Sequence, residues 1–446
     1  MFSASIVIPN PGLRPMTDST TRMAILTAGG PAPGINSVIN AATLEALNLG
    51  WEVLGVRNGF AGLLEDDMQP LGVDDVTWVH YEPGSMLGMS RTHPAQHGDL
   101  RPVLETLKQR QIDLLVTIGG DGTASGAAAI SHAMGDDLRV VHVPKTIDND
   151  LPLPSGVPTF GFTTARHLGV ELVQNLMKDA RSCQRWYAVV AMGRQAGHLA
   201  LGIGKAAGAN ITIIPEEFSE QRVSLDHYTD LVDGSVLKGL ALGRRWGVAI
   251  LAEGLVHRLD PEELKHFSAI KRDSQGRIRL SNLELGVLVS EKLNKRLARR
   301  GIDMQFNEIK LGYELRCARP VPFDIEYTRD LGYAATRFLA EGGTDAMVIV
   351  DQGQRSILTF DDMHDPTTGQ TSVRLVDVNS ESYLVARRYM QRLTPGDFDD
   401  SKQLHRLAAL AEMTPEQFVD HYGYLVADEP DEFTWRSSMQ GALPPS

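Results

Sequence analysis

Two carboxylates stand two residues apart in a short polar segment of the chain. Asp148 and Asp150 belong to residues 144–150, Pro-Lys-Thr-Ile-Asp-Asn-Asp, which also contain Lys145 and Thr146. On an extended segment both acids point the same way, and two close carboxylates do not ionise equally easily, which suits one of them to accept a hydroxyl proton. We expect Asp148 to be this base and Asp150 to bind a metal through water. An Asx-rich turn is the alternative without chemistry.

A glycine-rich turn lies upstream at residues 119–123, Gly-Gly-Asp-Gly-Thr. Glycines let the backbone lie against phosphate oxygens. An acid there repels phosphate unless a cation bridges the two, so we expect Asp121 to bind Mg²⁺; the alternative is a helix cap. With the first segment, this turn supplies the proton acceptor, metal-binding acid and backbone donors that phosphoryl transfer to a sugar hydroxyl requires.

Two more glycine-rich turns, residues 29–34 and 192–197, each follow a predicted strand and precede a predicted helix. The first contains Gly30 and opens a helix whose terminal amides face an incoming anion. A tight turn without a ligand is an equally good interpretation of that turn alone.

These segments need a framework of strands and helices to bring them together. Short apolar runs alternate with longer amphipathic stretches, which predicts βαβ units and an α/β fold with mainly parallel sheets. Ligands in such folds bind beyond the carboxyl ends of the strands. Predicted strands are 23–28, 52–56, 113–118, 139–143, 187–191, 211–214, 247–251 and 345–350; predicted helices are 35–49, 99–110, 123–134, 163–181, 195–207, 282–300, 328–341, 401–412 and 415–424.

Length and composition limit the kind of protein. The 446 residues exceed the usual size of a single core, so two domains are expected. A net charge of −13 argues against a nucleic-acid partner. Two cysteines, Cys183 and Cys317, exclude a disulfide scaffold and fit a cytoplasmic protein. No apolar run is long enough for a membrane span, and residues 1–21 are expected to form a flexible tail.

Two further patterns carry structural predictions. Lys292–Arg300 is basic, with Leu293 and Leu297 at helical spacing, which predicts a solvated amphipathic face. Thr414 is expected to cap the last predicted helix.

Short motifs with this chemistry stand in a fixed order along roughly residues 23–350. They are GGPAPGIN at 29–36, GGDGT at 119–123, PKTIDND at 144–150, MGR at 192–194, AEG at 252–254 and LGYELRCARPVPFD at 311–324. In order and spacing they resemble the phosphofructokinase family. NAD and lipid kinases also carry GGDGT but lack the other motifs.

The resemblance implies an active site in the cleft between two α/β domains and phosphorylation of fructose 6-phosphate at O1. It implies Mg²⁺ as cofactor and a homodimer or homotetramer as the active form. It places the donor phosphate in residues 22–160 plus about 315–370. The sugar phosphate is expected in residues 161–314 plus about 371–446, which include a C-terminal helical extension.

The resemblance also assigns roles to individual residues. Asp148, Thr146 and Arg194 are expected to be catalytic, and Asp121 and Asp150 to bind the metal. Donor or nucleotide contacts are expected from Gly30, Phe60, Arg91, Thr92, Gly120, Asp121, Gly122, Thr123 and Lys145. Contacts to the sugar phosphate are expected from Thr146, Asp148, Asp150, Arg185, Met192, Gly193, Arg194, Glu253, Tyr313 and Arg316, with Arg185 reaching a neighbouring subunit.

The sequence departs from the family pattern at two sugar-phosphate positions and is ambiguous about the donor. Tyr313 replaces a common histidine, and Asn307 replaces a common arginine. Gly122 is typical of ATP-dependent members, whereas Lys145 is typical of pyrophosphate-dependent ones. Because one ATP-dependent branch combines both motifs, we expect ATP as donor and keep pyrophosphate as the alternative.

Regulation is expected to differ from that of bacterial allosteric members. Two effector-binding arginines of those enzymes correspond to Asn40 and Leu44, so no control by ADP or phosphoenolpyruvate is expected through that site. A non-catalytic regulatory paralogue is a less favoured reading, because it would be expected to lose Asp148, Asp121 or Arg194.

Overall fold

The computed structural model describes residues 20–95, 99–219, 222–264, 283–363 and 372–427. Residues 1–19 of the predicted tail lie outside these ranges, and Thr21 is already buried. The chain divides into two compact units. Unit 1 comprises Met1–Leu168 and Tyr313–Arg374, and unit 2 comprises Gly169–Gly312 and Leu375–Ser446.

Strands and helices alternate along most of the described chain. The strands are β1 Arg22–Thr27, β2 Glu52–Val56, β3 Met68–Pro70, β4 Leu114–Gly119, β5 Arg139–Thr146, β6 Phe160–Gly161, β7 Trp186–Ala191, β8 Ile211–Ile213, β9 Gly247–Ala252, β10 Phe306–Leu311, β11 Ala346–Asp351 and β12 Gln354–Thr359. The helices are α1 Ile35–Asn48, α2 Phe60–Glu65, α3 Val73–Val76, α4 Arg101–Gln109, α5 Asp121–Met134, α6 Phe162–Cys183, α7 His198–Ala207, α8 Leu225–Ala241, α9 Pro261–Leu264, α10 Leu285–Arg299, α11 Tyr313–Arg316, α12 Pro322–Ala340, α13 Glu381–Tyr389, α14 Pro395–Asp399, α15 Ser401–Leu410 and α16 Pro415–Tyr422.

Unit 1 is built on an eight-stranded sheet in the order β12-β11-β5-β4-β1-β2-β3, with β6 paired to β5. All pairs are parallel except β11 with β12 and β2 with β3, so the predicted α/β class is confirmed. Strand β4 is buried along its whole length and β1 at every residue after Arg22, as expected for a sheet covered on both faces. Their register pairs Thr27 with Ile118 and Gly119 with Pro144, so β1, β4 and β5 end at one edge.

β5 is longer than the predicted strand 139–143. It continues through Lys145 and Thr146 because these residues pair with Phe160 and Gly161 of β6. The PKTIDND motif therefore begins on a strand, and only its acidic end lies in a loop. This pairing was missed because β6 is two residues long.

Unit 2 is built on a four-stranded parallel sheet in the order β10-β7-β9-β8. The Trp186 indole is fully buried and stacks on Phe306 with ring centroids 5.5 Å apart. Burial of one such aromatic side chain stabilises the fold by about 1.5–3 kcal/mol. Strands β7 and β9 end together, with Ala191 opposite Ala252.

The predicted solvated amphipathic face of Lys292–Arg300 is confirmed only in part: Lys295 and Arg299 are exposed and Leu293 and Leu297 are buried, but Arg296 and Arg300 pair with buried acids. Arg300 is 8% exposed and pairs with the fully buried Asp233 of α8 at 2.7 Å, while Arg296 contacts both Asp230 and Asp233. Burial opposes ionisation of Asp233, but hydrogen bonds and charge from the two arginines hold its pKa below the ordinary value. Tyr422 of α16 donates to Asp233 at 2.7 Å, so a hydrogen bond connects α16 to this ionic cluster.

The structure also bears on two smaller predictions. Thr414 caps α16 as predicted, since its hydroxyl accepts from the Gln417 amide at 3.2 Å. Within the described ranges, no helix has both the length and the apolar character that crossing a bilayer requires.

Candidate active site

The first glycine turn of unit 1 follows β1 and leads into α1. The Gly29 backbone is left-handed, with φ +86°, a conformation that glycine adopts without strain. Its amide donates to Ser90 O at 2.8 Å, which brings residues 88–92 beside the turn. Gly34, also left-handed, provides the N-cap of α1.

Two cations lie against this turn. The Lys145 side chain is 5% exposed, and its ammonium donates to the Gly30 carbonyl oxygen. The guanidinium of Arg316 comes within 3.1 Å of the place where a β-carbon on Gly30 would lie. The Tyr313 ring lies 5.1 Å from the same guanidinium and is 72% exposed. The structure thus gathers three predicted site residues near Gly30. Lys145 was expected to contact the phosphoryl donor, and Arg316 and Tyr313 were expected to contact the sugar phosphate.

The second glycine turn joins β4 to α5. A β-carbon at Gly119 would lie 2.2 Å from Thr123 Oγ1, so the turn closes only around glycine. The Gly120 carbonyl accepts from the Thr123 amide at 2.9 Å. Gly122 is exposed, and an added β-carbon there would have no heavy atom within 4 Å.

Asp121 is the first residue of α5 and lies in its first turn, where a negative charge is stabilised by the helix dipole. The N-cap is Gly120, and no side-chain cap hydrogen bond is made there. Within the described ranges the Asp121 carboxylate makes no hydrogen bond or ion pair. The helix-cap alternative for Asp121 therefore finds no contact in its favour.

A buried histidine that no sequence motif had indicated lies beneath the second turn. His142 of β5 is fully buried, with Nε2 at 3.1 Å from Gly119 O and Nδ1 at 2.8 Å from Thr117 Oγ1. Because a carbonyl oxygen only accepts, Nε2 carries the proton, and the Thr117 hydroxyl donates to Nδ1. Burial, followed by the nearby Lys145 charge, lowers the pKa of His142 to about 3 despite the bond to Gly119. The imidazole is neutral and fixes the start of the turn.

The acidic loop begins where β5 ends. Asp148 is 4% exposed, and its amide donates to Thr146 Oγ1 at 3.0 Å. Asn149 stands between the two acids in the left-handed region, with φ 58°. Asp150 is half-buried, and within the described residues its carboxylate makes no hydrogen bond.

The other residues expected to contact the phosphoryl donor do not all lie at the glycine turns. Arg91 is exposed and Thr92 half-buried, next to the Ser90 carbonyl that binds the Gly29 amide. Phe60 is 1% exposed at the start of α2, and its ring packs against Gly126 of α5. The structure brings the segment with Arg91 and Thr92 to the first turn and places the Phe60 ring in the core.

The third turn, Met192-Gly193-Arg194, follows β7 in unit 2. The amides of Gly193 and Arg194 lie 3.3 and 3.4 Å from Glu253 Oε2, which follows the neighbouring strand β9. The Met192 amide donates to Leu311 O at 2.9 Å. Arg194 is exposed with a left-handed backbone, φ 51°. The structure thus places close together four residues of unit 2 that were expected to contact the sugar phosphate.

Arg185 is not part of this group. It precedes β7, whereas Arg194 follows it, so the two stand at opposite ends of a six-residue strand about 20 Å long. Arg185 instead pairs with Asp179 at 3.2 Å on the unit surface.

The carboxylates of this region fit a magnesium ion that is bound by phosphate as well as by the protein. Among the described residues, no three His, Cys, Asp or Glu side chains form a group able to hold a metal on their own. Mg²⁺ is commonly bound by one or two carboxylates plus substrate phosphates and keeps several waters. The Asp121 carboxylate, beside the glycine turn, is of this type.

The sequence is similar to known proteins over most of its length. The family model described as phosphofructokinase matches residues 22–339. The pyrophosphate–fructose 6-phosphate 1-phosphotransferase of Thermotoga maritima is 50% identical over 410 residues, covering 90% of this chain and 98% of that protein. The protein of the same description from Naegleria fowleri is 47% identical over 417 residues, covering 91% of this chain and 95% of that one.

A solved structure supports the fold. The crystal structure of a pyrophosphate-dependent phosphofructokinase from Nitrosospira multiformis matches with a TM-score of 0.63 and 17% identity, covering 88% of this chain and 91% of that one. At this identity the likeness concerns the fold alone.

Proposed function

Because this chain belongs to the phosphofructokinase family, we propose that it transfers a phosphoryl group from pyrophosphate to O1 of fructose 6-phosphate, a reversible reaction. The expected preference for ATP is not supported by the two relatives of 47–50% identity, both described as pyrophosphate-dependent. The proposed donor is therefore pyrophosphate, the alternative to ATP.

The observation that carries the donor assignment is the position of Lys145. Its buried ammonium is fixed at the Gly30 carbonyl, within 3.8 Å of a β-carbon position on Gly29. A fixed cation at the first turn fills space and supplies charge where the inner phosphate of a nucleotide would lie. This arrangement suits a compact anion such as pyrophosphate, which gains strong charge-assisted contacts.

In the proposed reaction Asp148 accepts the proton of the O1 hydroxyl. The O1–phosphorus bond forms as the bridging oxygen–phosphorus bond of pyrophosphate breaks, and inorganic phosphate leaves. Arg194 is proposed to stabilise the charge spread over the transferring group. Mg²⁺, when bound through Asp121 and by water to Asp150, would neutralise phosphate charge.

Sugar binding is proposed to use Met192, Gly193, Glu253, Arg316 and Tyr313. Arg185 is proposed to serve a neighbouring subunit, which agrees with its distance from Arg194 along β7. An enzyme of this kind would be a homodimer or homotetramer, a prediction that light scattering after gel filtration tests. The cytoplasmic location also stays a prediction.

The test supplies purified protein with fructose 6-phosphate and Mg²⁺ and compares pyrophosphate with ATP at equal concentration. Fructose 1,6-bisphosphate is expected with pyrophosphate, and phosphate with fructose 1,6-bisphosphate should regenerate pyrophosphate. Product formed only with ATP would overturn the donor assignment. No product with either donor would overturn the catalytic function.

ATP remains the second candidate because of one observation. The space around Gly122 is open, so no side chain obstructs a nucleotide at the second turn. If ATP is the donor, changing Gly122 to Asp should abolish activity with ATP, whereas activity with pyrophosphate should change little.

A further inference from the structure

Several backbone carbonyl oxygens of residues 149–157 surround the guanidinium of Arg374. Arg374 Nε donates to Asn149 O at 3.1 Å, and Nη1 donates to Val157 O at 2.7 Å. Nη1 also lies 3.4 Å from the carbonyl oxygens of Leu153 and Pro154. One side chain thus holds several carbonyl groups of a loop that has no strand or helix to hold it.

Two more bonds join Arg374 to the Asn149 side chain and to the backbone of Asp150. Nη2 of Arg374 donates to the Asn149 side-chain oxygen, and the Arg374 amide donates to Asp150 O at 2.8 Å. The same Asn149 oxygen accepts from the Thr159 amide at 3.0 Å. The Arg374 guanidinium therefore contacts both the backbone oxygen and the side-chain oxygen of Asn149, the residue between Asp148 and Asp150.

The conformation of Asn149 makes these contacts consequential. Its φ of 58° is disfavoured for a residue with a side chain, although asparagine tolerates it better than most. Such a conformation persists where the surroundings over-determine it. The direction of the Asp148 side chain depends on this turn, because Asn149 is its neighbour in the chain.

Arg374 lies outside every motif that suggested the function and outside residues 22–339 of the family match. It is half-buried, and burial lowers the pKa of its guanidinium from the ordinary value, which still leaves it charged at neutral pH. A planar fork with five N–H donors suits several carbonyl acceptors at once, which a lysine ammonium does not reproduce.

We propose that Arg374 is a positioning residue that holds the Asp148–Asp150 loop in its reactive conformation. This inference rests on the proposed function, in which Asp148 is the base. A base displaced by about 1 Å can lower the rate about 100-fold without altering substrate affinity. The two glycine turns proposed to bind pyrophosphate are held by other side chains, His142 and Lys145, and Asp150 is proposed to reach the metal only through water, so donor binding should change little.

The experiment measures kcat and KM with pyrophosphate for Arg374→Met, Arg374→Lys and the control Arg355→Met. Arg355 lies on β12 of the same unit and pairs with Glu341, away from the loop. We expect kcat to fall about 10–100-fold in both Arg374 variants, with KM for pyrophosphate within about twofold of wild type. The control should retain wild-type kinetics. Added guanidinium ion should restore part of kcat in Arg374→Met but not in Arg374→Lys.

Folding is checked at the assay temperature by circular dichroism. A wild-type kcat in folded Arg374→Met would overturn the proposal. A loss of kcat that only matches the loss of folded protein, without rescue by guanidinium, would overturn it as well.

A separate measurement distinguishes failure of this inference from failure of the proposed function. If the wild-type protein is inactive with every donor, the function fails, and amide hydrogen exchange then tests the anchor. Exchange in residues 149–159 should be faster in Arg374→Met than in Arg355→Met. Equal exchange in the two variants would show that Arg374 does not hold the loop.

Discussion

The glycine turns of unit 1 and the Met192–Arg194 turn of unit 2 follow parallel strands in the same way but are held by opposite groups. In unit 1, His142 and Lys145 donate to backbone carbonyl oxygens of the turns. In unit 2, the Glu253 carboxylate lies within reach of two backbone amides. Tying down carbonyl oxygens removes groups that repel an anion, whereas tying down amides removes groups that attract one.

The difference supports separate tasks for the two regions. The turns of unit 1 suit a phosphate bound through the backbone, with the buried Lys145 ammonium behind it. The turn of unit 2 must rely on the exposed Arg194 side chain for any phosphate contact, and Glu253 fixes the backbone from which that side chain projects. Substitutions in the two units should therefore change different kinetic constants.

The largest effect is expected in the acidic loop of unit 1, which contains the proposed base. Asp148→Asn removes the proton acceptor, and kcat should fall about 10²–10⁴-fold. The measurement is the steady-state rate with pyrophosphate, and circular dichroism confirms folding. Asp150→Asn is the matched control and should lose less. Near-normal kcat in Asp148→Asn with an inactive Asp150→Asn would exchange the roles of the two acids.

Next in size is the effect of Lys145 on the donor. Lys145→Met removes the buried ammonium, and the loss of a charge-assisted hydrogen bond worth about 1.5–3 kcal/mol should raise KM for pyrophosphate about 10–100-fold. KM for fructose 6-phosphate should stay unchanged. Lys108→Met, at a surface pair with Asp137, is the control. An unchanged KM for pyrophosphate would remove the main support for this donor.

The elements that carried these residues could largely be predicted, because buried parallel strands are continuous apolar runs. Strand β2 matches the predicted 52–56, and α5 begins two residues before the predicted 123. Helix α8 was missed because it is buried on nearly every side, so it shows no amphipathic stripe. The buried aspartates of that helix also explain why the prediction for Lys292–Arg300 failed at Arg296 and Arg300, since the sequence of one helix alone does not reveal what faces it.

The candidate site likewise contains residues that could be predicted from the sequence and residues that could not. Its motifs are local, so spacing along the chain was enough to find the glycine turns and the two acids. The side chains that hold those motifs from behind are not local. Arg374 is 225 residues from Asn149, and His142 looks like any other residue of an apolar strand. Only the sheet register and the loop path bring such residues to the site.

A smaller effect is expected in unit 2 and would sharpen the comparison. Glu253→Met removes the acceptor of the Gly193 and Arg194 amides, so KM for fructose 6-phosphate should rise about tenfold, as expected for loss of about 1.4 kcal/mol. Glu253→Gln keeps an oxygen able to accept and should change KM less. In both variants KM for pyrophosphate should match wild type. A parallel rise in both constants would mean that the units do not divide the substrates.

The last prediction concerns the support beneath the second turn and appears not in a kinetic constant but as a pH dependence of stability. The folded state keeps His142 neutral down to about pH 3, whereas the unfolded chain binds a proton below about 6.5. The unfolded state then holds more protons, so this residue lowers stability as pH falls from 6.5 towards 3, by up to about 1.4 kcal/mol per pH unit. His142→Gln keeps a donor for Gly119 but does not titrate. Calorimetry should find its Tm below wild type at pH 7 and the gap narrowing towards pH 5; a gap independent of pH would mean that His142 is not held neutral beneath the turn.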